Sequence, residues 1–188
     1  MFVRFDIDKC MAAAGALFST TEAGTLSRVR ILKLLYLANR KSLEETGEPI
    51  VDDDVLAMDN GPVLRYTWDL MRDSDRADPG ARAAWDAHFK VVDQIQIRMV
   101  KDPGTDQLSD YDVDTLVETA REYAGLDDFE LSELTHTFEE WKRAREENRT
   151  EIAPVDLLMA IGYTPEEIQA SLAEAQWYAR ERALLGCR

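Results

Sequence analysis

Two histidines, His88 and His136, are the only ones in the chain, and a search for metal or acid–base chemistry begins with them. The sequence also has 37 Asp and Glu residues, so oxygen ligands for a metal ion are plentiful. A zinc-binding helix commonly presents a His-x-x-x-His pair, and neither histidine has a partner at that spacing. We therefore expect no metal ion, and a metal-dependent enzyme is the weakest of the functional hypotheses.

Nucleophilic and phosphate chemistry have no stronger support. The glycines are scattered along the chain and form no glycine-rich phosphate-binding loop. Cys10 and Cys187, near opposite ends of the chain, have neither the spacing of metal ligands nor the number typical of a disulfide framework. No recognisable motif sets a serine or cysteine beside a histidine as nucleophile and base. We therefore predict no catalytic residues and no cofactor, and we expect that the protein is not an enzyme.

The charge of the 188 residues is strongly negative, with a formal net value of −15. It is concentrated in residues 102–140, which contain thirteen acidic residues and one basic residue, Arg121. Such a surface repels phosphate backbones, which argues against direct nucleic-acid binding, and it attracts basic proteins. An acidic face that only keeps the protein in solution explains the same charge. The sequence shows no membrane span and no signal peptide, so we expect a cytoplasmic protein without a membrane partner.

Helices must position most of these residues. The apolar spacing predicts a first helix after an Asp8 cap and a wide central helix over 27–46 that ends at Gly47. Pro62 suits a first helical turn and predicts a helix over 62–71. Cap residues predict further helices over 109–123, over 128–134, from Thr137 with Glu140 closing a capping box, over 154–161 and over 164–185.

Strand patterns are confined to one part of the chain. Alternating apolar residues predict a hairpin with strands over 89–92 and 95–100, and the polar stretch 72–82 is expected to be an exposed loop. The predicted fold class is α+β, a predominantly helical single domain with a small antiparallel β-sheet. We expect residues 1–150 to form this domain and residues 151–188 to form a C-terminal helical hairpin that packs on it or extends it.

Three short motifs stand out from this background. They are a Lys-Leu-Leu-Tyr motif at 33–36, a Gly-Pro-Val motif at 61–63 and a Leu-Ser-Glu-Leu-Thr-His motif at 131–136, followed by Trp141. In this order and at these spacings they resemble the Panacea (SocA-like) domain, a family of antitoxins. The resemblance covers roughly residues 25–145.

The resemblance implies a cytoplasmic antitoxin that neutralises a cognate toxin protein by direct contact. The binding or family-motif residues that it implies are Asn60, Gly61, Pro62, Thr135, His136 and Trp141. A structural role accounts for the same residues, because glycine and proline suit backbone turns and tryptophan often anchors a core. Two positions depart from the family pattern: Glu140 stands where many relatives have proline, and Asn60 stands where an aromatic residue is common.

Two functional hypotheses therefore rank above that of a metal-dependent enzyme. The first is an antitoxin that blocks its toxin sterically, with the acidic residues 102–140 and the C-terminal hairpin facing a basic toxin surface. The second is an adaptor that delivers a client or toxin to an ATP-dependent AAA+ protease, which shares the binding step and differs in the outcome. The sequence leaves the oligomeric state, the identity of the toxin and the role of residues 151–188 open.

Overall fold

The structure, a computed structural model, describes residues 5–72 and 74–185. Nine helices lie in these residues: α1 (Ile7–Phe18), α2 (Arg28–Thr46), α3 (Arg65–Met71), α4 (Pro79–His88), α5 (Asp110–Glu122), α6 (Asp128–His136), α7 (Glu139–Glu146), α8 (Pro154–Ala160) and α9 (Pro165–Leu185). Five short strands accompany them: β1 (Thr25–Ser27), β2 (Val55–Met58), β3 (Gly61–Leu64), β4 (Phe89–Val91) and β5 (Gln96–Met99). The predicted fold class, α+β with mostly helices and a small antiparallel sheet, is confirmed.

Helix α2 lies at the centre of the core and contacts α1, α5, α6 and strand β3. It begins after Ser27, whose hydroxyl accepts a hydrogen bond from the Arg30 N–H, and it ends at Gly47, which adopts a left-handed φ of 82°. Both ends agree with the prediction. Its Leu34 and Leu35 side chains are buried, and each such burial stabilises the fold by about 1.5–3 kcal/mol.

Cap chemistry predicted three further helix starts. Ser109 and Asp127 form capping boxes at the starts of α5 and α6. Each cap side chain accepts a hydrogen bond from the backbone N–H three residues later, and the carboxylate of that residue accepts one from the backbone N–H of the cap residue. Thr164 and Glu167 bond to each other's backbone N–H in the same way at the start of α9. These starts were predictable because a capping box involves only residues that are close in sequence.

Two predicted cap positions are wrong. Asp6 rather than Asp8 caps α1, because the Asp6 carboxylate accepts the hydrogen bond from the Asp8 N–H. At α7, Thr137 still belongs to the turn that ends α6, and its hydroxyl donates back to a carbonyl of that helix. Helix α7 begins after Phe138 without a side-chain cap, because the Glu140 carboxylate is buried against other side chains instead of closing a box.

The predicted helix over 62–71 is wrong in its first turn. Residues Gly61–Leu64 form β3, which pairs antiparallel with β2, and α3 begins only at Arg65. Pro62 lies opposite Ala57 in this pair. A proline is tolerated because β3 is an edge strand, where a missing N–H removes no bond to a neighbouring strand.

The predicted hairpin over 89–92 and 95–100 is confirmed as β4 and β5, which pair antiparallel. Strand β1 pairs with the other edge of β5, so the order of this sheet is β1-β5-β4. Strand β1 was not predicted, because three residues are too few for the alternation of a strand to be visible.

The predicted loop over 72–82 is wrong at its C-terminal end, where α4 begins at Pro79. Asp78 caps this helix with its side chain, and Pro79 occupies an early position where its missing N–H costs nothing. Trp85 of α4 stacks on Phe89 with ring centroids 4.3 Å apart, and both rings are buried. Helix α4 therefore anchors the start of β4 in the core.

The segment after α7 returns to the two-stranded sheet. The Ala57 N–H donates to the Thr150 carbonyl and the Ile152 N–H donates to the Val55 carbonyl, each at 2.9 Å. This pairing places the segment along the open edge of β2. Further along the chain, the apolar residues buried in the same core are Leu157, Leu158 and Ile168. The predicted domain boundary at residue 150 stays a prediction.

Helix α9 begins at Pro165 and runs to Leu185, which agrees with the helix predicted over 164–185. Cys10 is buried in α1, whereas Cys187 lies outside the described residues. Among the helices that the structure describes, none combines the length and the apolar character needed to cross a membrane.

Candidate functional site

The residues of the predicted site lie around the β2–β3 hairpin. Met58 pairs with Gly61, which leaves Asp59 and Asn60 as a two-residue turn. Gly61 adopts a φ of 89°, in the left-handed region that favours glycine. Asn60 is exposed at the turn, and Pro62 is buried in β3. The turn at Asp59 and Asn60 therefore closes a hairpin and does not start the helix that was predicted over 62–71.

Helix α2 reaches this hairpin through Lys33. The lysine is 1% exposed, and its Nζ donates to the Pro62 carbonyl at 2.9 Å. Because a charged amine loses its hydration inside the core, burial lowers the pKa of Lys33 from 10.5 to about 7. The Pro62 carbonyl lies on an edge strand, so the lysine gives a partner to an acceptor that would otherwise be buried without one.

The end of α6 packs directly against Gly61. A Cβ atom at this position would clash with Thr135 Oγ1 and would lie 2.8 Å from Lys33 Nζ and 3.3 Å from His136 Cδ2. Thr135 is fully buried, and its hydroxyl donates to the Ser132 carbonyl at 2.8 Å. Glycine is therefore needed for two independent reasons, the backbone angle and the close approach of α6.

Helix α7 holds the other strand of the hairpin. The indole Nε1 of Trp141 donates to the Met58 carbonyl at 3.0 Å. One turn later, Arg145 donates to the Ala57 carbonyl at 3.3 Å and forms an ion pair with Asp59 at 2.5 Å. Side chains from three helices thus contact one hairpin. We call these side chains the hairpin clamp: Lys33, Thr135, His136, Trp141 and Arg145.

His136 fills the space between α6 and α7. Its ring stacks on Trp141 with centroids 4.3 Å apart and an interplanar angle of 19°. Its Nδ1 lies 3.1 Å from Glu133 Oε1, and its buried Nε2 has no hydrogen-bond partner among the described residues. Glu133 and His136 have a Glu-x-x-His spacing, which is the sequence signal for the contact between them and which sequence reasoning missed. Within residues 5–72 and 74–185, no three His, Cys, Asp or Glu side chains are grouped so that they could hold a metal ion.

The structure gathers most of the predicted site residues in one place. Those that meet at the clamp are Gly61, Pro62, Thr135, His136 and Trp141. Asn60 lies beside them on the exposed turn, and a role of any of the six in binding stays a prediction. Sequence reasoning missed the contacts of Lys33 and Arg145. A lysine inside a leucine-rich stripe was the signal for the first, because lysine is almost never fully buried without a partner.

Glu140 forms a second buried polar contact nearby. Its Oε1 accepts hydrogen bonds from the Tyr36 hydroxyl at 2.6 Å and from Arg40 Nε at 2.8 Å. The Arg40 guanidinium also lies 4.5 Å above the centre of the Phe138 ring. Burial, followed by the Glu140 charge, raises the pKa of Tyr36 well above its usual value. The position that departs from the family pattern therefore ties α7 to α2.

A third buried polar group, Asp53, caps α3 from outside the helix. Leu64, the residue at the cap position, has no side chain that can accept a hydrogen bond. Instead, the Asp53 carboxylate accepts the N–H groups of Tyr66 and Thr67 at 2.9 Å each, and the Thr67 hydroxyl at 2.8 Å. Burial outweighs these bonds and raises the pKa of Asp53 to about 6. Burial also raises the pKa of Cys10, which contacts Thr67, to about 12, so this cysteine remains a thiol.

Comparison with known proteins identifies the family. A search of curated proteins and a search of solved structures each found no match. The family model described as the antitoxin SocA-like, Panacea domain matches residues 31–142. This range is more than half of the chain, and it contains the hairpin and every clamp residue except Arg145. The chain therefore belongs to the SocA-like antitoxin family of Panacea domains, as the three sequence motifs predicted.

Proposed function

We propose that this protein is the antitoxin of a toxin–antitoxin pair and that it neutralises its cognate toxin by binding it directly. The observation that carries the proposal is the family match over residues 31–142, which includes most of α2, the clamped hairpin and α6. Action in the cytoplasm, with the toxin as partner, is part of the same proposal.

The hydrogen bonds of the clamp favour a structural role for its residues over a catalytic one. Lys33, Trp141 and Arg145 each donate a hydrogen bond to a backbone carbonyl of the hairpin. A catalytic acid or base must reach a substrate, whereas these donors are engaged within the fold. We infer that the family motifs fix the shape of the domain and that the surrounding surface contacts the toxin.

The exposed charges suggest what kind of toxin surface would fit. Helices α5 and α6 present a series of exposed carboxylates: Asp110, Asp114, Glu118, Glu122, Glu130 and Glu133. A negative surface of this kind accelerates the encounter with a basic protein and opposes binding to nucleic acid. A toxin with a basic face is therefore the partner that the charge distribution favours.

A two-gene experiment tests the proposal. The neighbouring gene is expressed alone and together with this protein, growth is followed, and a tag on one protein is used to recover the other. We expect growth to stop when the neighbour is expressed alone, to resume on co-expression, and the two proteins to co-purify. A neighbour that is harmless alone, or a pair that does not co-purify, would contradict the proposal.

The half-life of the toxin distinguishes steric neutralisation from delivery to an ATP-dependent protease. Toxin turnover is measured with and without this protein, in normal cells and in cells that lack the protease. Steric neutralisation predicts an unchanged half-life in both strains. Faster turnover that depends on both this protein and the protease would instead establish the adaptor hypothesis.

A further inference from the structure

A groove with a volume of about 1110 Å³ lies where several segments of the chain meet. Its walls are the N-terminal end of α1, residues 52–55, the start of α3, the start of α4 and residues 148–154 with Leu157. The hairpin clamp does not line it. The groove is therefore a feature of the surface that the family motifs leave unexplained.

Part of the groove is apolar and includes a stacked aromatic pair, of which Tyr66 is exposed. The aliphatic side chains that line it are Ile7, Val55, Ile152, Pro154 and Leu157. Phe5 and Tyr66 stack with ring centroids 5.2 Å apart, and Tyr66 remains 43% exposed. Partly exposed tyrosines with a rigid support are typical anchors of protein–protein interfaces.

Negative charge dominates the lining of the groove. The acidic residues that line it are Asp52, Asp53, Asp54, Asp78 and Glu151. Arg149, the one arginine among the described lining residues, is already held by two carboxylates at 2.8 and 2.6 Å. The Asp54 and Glu151 side chains are 64% and 62% exposed, and both pair with Arg65. The acids outnumber the bases, so the potential in the groove is negative. We call it the acidic groove.

Size and chemistry favour a polypeptide as its occupant. Pockets for small molecules usually have volumes of about 300–1,000 Å³, and this groove is larger. Phosphate-bearing ligands would be repelled by the carboxylates. A peptide segment in which Lys or Arg flanks an apolar side chain would match both features, because its charges would meet the carboxylates while its apolar group packs on the aromatic pair.

We propose that the acidic groove docks a basic segment of the toxin, with an apolar side chain against Phe5 and Tyr66 and with Lys or Arg beside Asp54 and Glu151. This inference rests on the proposed antitoxin function and adds the surface and the chemistry of the contact. It also separates two parts of the molecule, because the clamp maintains the domain and the groove contacts the partner.

Charge-neutralising variants test the electrostatic part of the inference. The groove variant is Asp54→Asn with Glu151→Gln. The matched control is Glu22→Gln with Glu48→Gln, which removes the same charge from two exposed positions outside the groove and outside residues 102–140. Binding to the toxin encoded by the neighbouring gene is measured by biolayer interferometry at low and at high salt. We expect the groove variant to bind roughly tenfold more weakly, mainly through slower association at low salt, and the control to stay within about threefold of the native protein.

A second variant, Tyr66→Ala, tests the apolar part and does not depend on charge. We expect the toxin to dissociate roughly tenfold faster, because the removed ring is an anchor rather than a steering group. The thermal unfolding midpoint of each variant is measured first, so that only folded proteins are compared.

The outcomes separate the two proposals. If the native protein neither restores growth nor binds the neighbouring toxin, the antitoxin proposal fails. If the native protein binds and both folded groove variants bind equally tightly, the acidic groove is not the docking site, while the antitoxin proposal stands. Equal weakening by the control at Glu22 and Glu48 would also overturn the groove inference, because the attraction would then be a property of the whole surface.

Discussion

The β2–β3 and β4–β5 hairpins are held in different ways, although each lies next to one of the two histidines. Side chains from α2, α6 and α7 contact β2–β3, and three of them donate to its backbone carbonyls. The main neighbours of β4–β5 are β1 and α4, and its Val91 and Ile95 are 52% and 59% exposed. His136 stacks on Trp141 within the clamp. His88 is the last residue of α4, and its Nδ1 lies 3.1 Å from the Lys101 carbonyl.

The difference shows how a two-stranded sheet can be fixed in a helical domain. An isolated hairpin is marginally stable in water, and β3 has an open edge. Lys33 satisfies the Pro62 carbonyl of β3, and Trp141 donates to the Met58 carbonyl at the turn. Arg145 donates to the Ala57 carbonyl of β2, the strand whose other side pairs with residues 150–152. The β4–β5 hairpin has a third strand, β1, beside β5, and the Asp93 carboxylate fixes its turn by accepting the N–H groups of Ile95 and Gln96. Four substitutions test this comparison, in order of decreasing effect.

The largest effect is expected for Gly61→Ala. The new Cβ would clash with Thr135 Oγ1, and an alanine at a φ of 89° is strained. Together, the strain and the overpacking should lower the free energy of unfolding by roughly 3–5 kcal/mol in urea denaturation. Gly24→Ala is the matched control beside β1, because its φ is 61° and a Cβ added there would have no other atom within 4 Å. That control should cost only about 1 kcal/mol, and equal costs at the two positions would contradict the clamp.

The second effect is a pH dependence that originates at Lys33. Its pKa is about 7 in the folded protein and 10.5 as an ordinary lysine. Between these values the unfolded chain holds a proton that the folded chain lacks, so stability rises with pH. From about pH 7 to about pH 8.5, the free energy of unfolding should increase by about 2 kcal/mol.

Two lysine variants and the choice of pH range make this measurement specific. Lys33→Met should abolish the rise, and Lys41→Met, on the same helix but at the surface, should retain it. The range ends below 9.0, the ordinary pKa of a cysteine, because burial of Cys10 makes stability fall at higher pH. A rise of the same size in the Lys33→Met protein would show that another group is responsible.

A smaller loss is expected for Trp141→Phe. This substitution keeps a ring that can stack on His136 but removes the N–H that donates to the Met58 carbonyl. The free energy of unfolding should fall by about 1 kcal/mol, the usual contribution of one hydrogen bond. Amide hydrogen exchange across β2 gives an independent measurement, and unchanged stability together with unchanged exchange would mean that the bond does not hold the strand.

The smallest effect is expected in the β4–β5 hairpin, for Ile95→Thr. The side chain is mostly exposed, so the free energy of unfolding should change by about 0.5 kcal/mol or less. Ile97→Thr is the matched control, because the Ile97 side chain is fully buried. It should lower the free energy of unfolding by about 2 kcal/mol or more. A large loss for Ile95→Thr would show that this hairpin is held by contacts at its tip.

Local chemistry explains which parts of the fold were predictable. The starts of α2, α5, α6 and α9 depend on residues within three positions of each other, such as Ser109 with Asp112. The predictions failed where a distant residue takes over the local role. Asp53 caps α3 in place of Leu64, and Tyr36 with Arg40 engages Glu140, which therefore does not cap α7.

Most residues of the candidate site were predictable from the three motifs, whereas Arg145 and the geometry of the site were not. The three motifs pointed to the residues that meet around Gly61, but their spacing in sequence does not reveal that a glycine is needed because α6 approaches it so closely. The acidic groove was not predictable, because its walls come from segments far apart in the chain. Only the folded arrangement places the exposed face of Tyr66 next to Asp54 and Glu151.

The external cap on α3 has a consequence for detecting the partner. Asp53 lines the groove, and its carboxylate is the hydrogen-bond acceptor for the amides of Tyr66 and Thr67. A segment that settles into the groove restrains this loop, and the two amides should then exchange with deuterium more slowly. Binding of the partner in the acidic groove can thus be followed at two backbone amides, without a dye or tag on either protein.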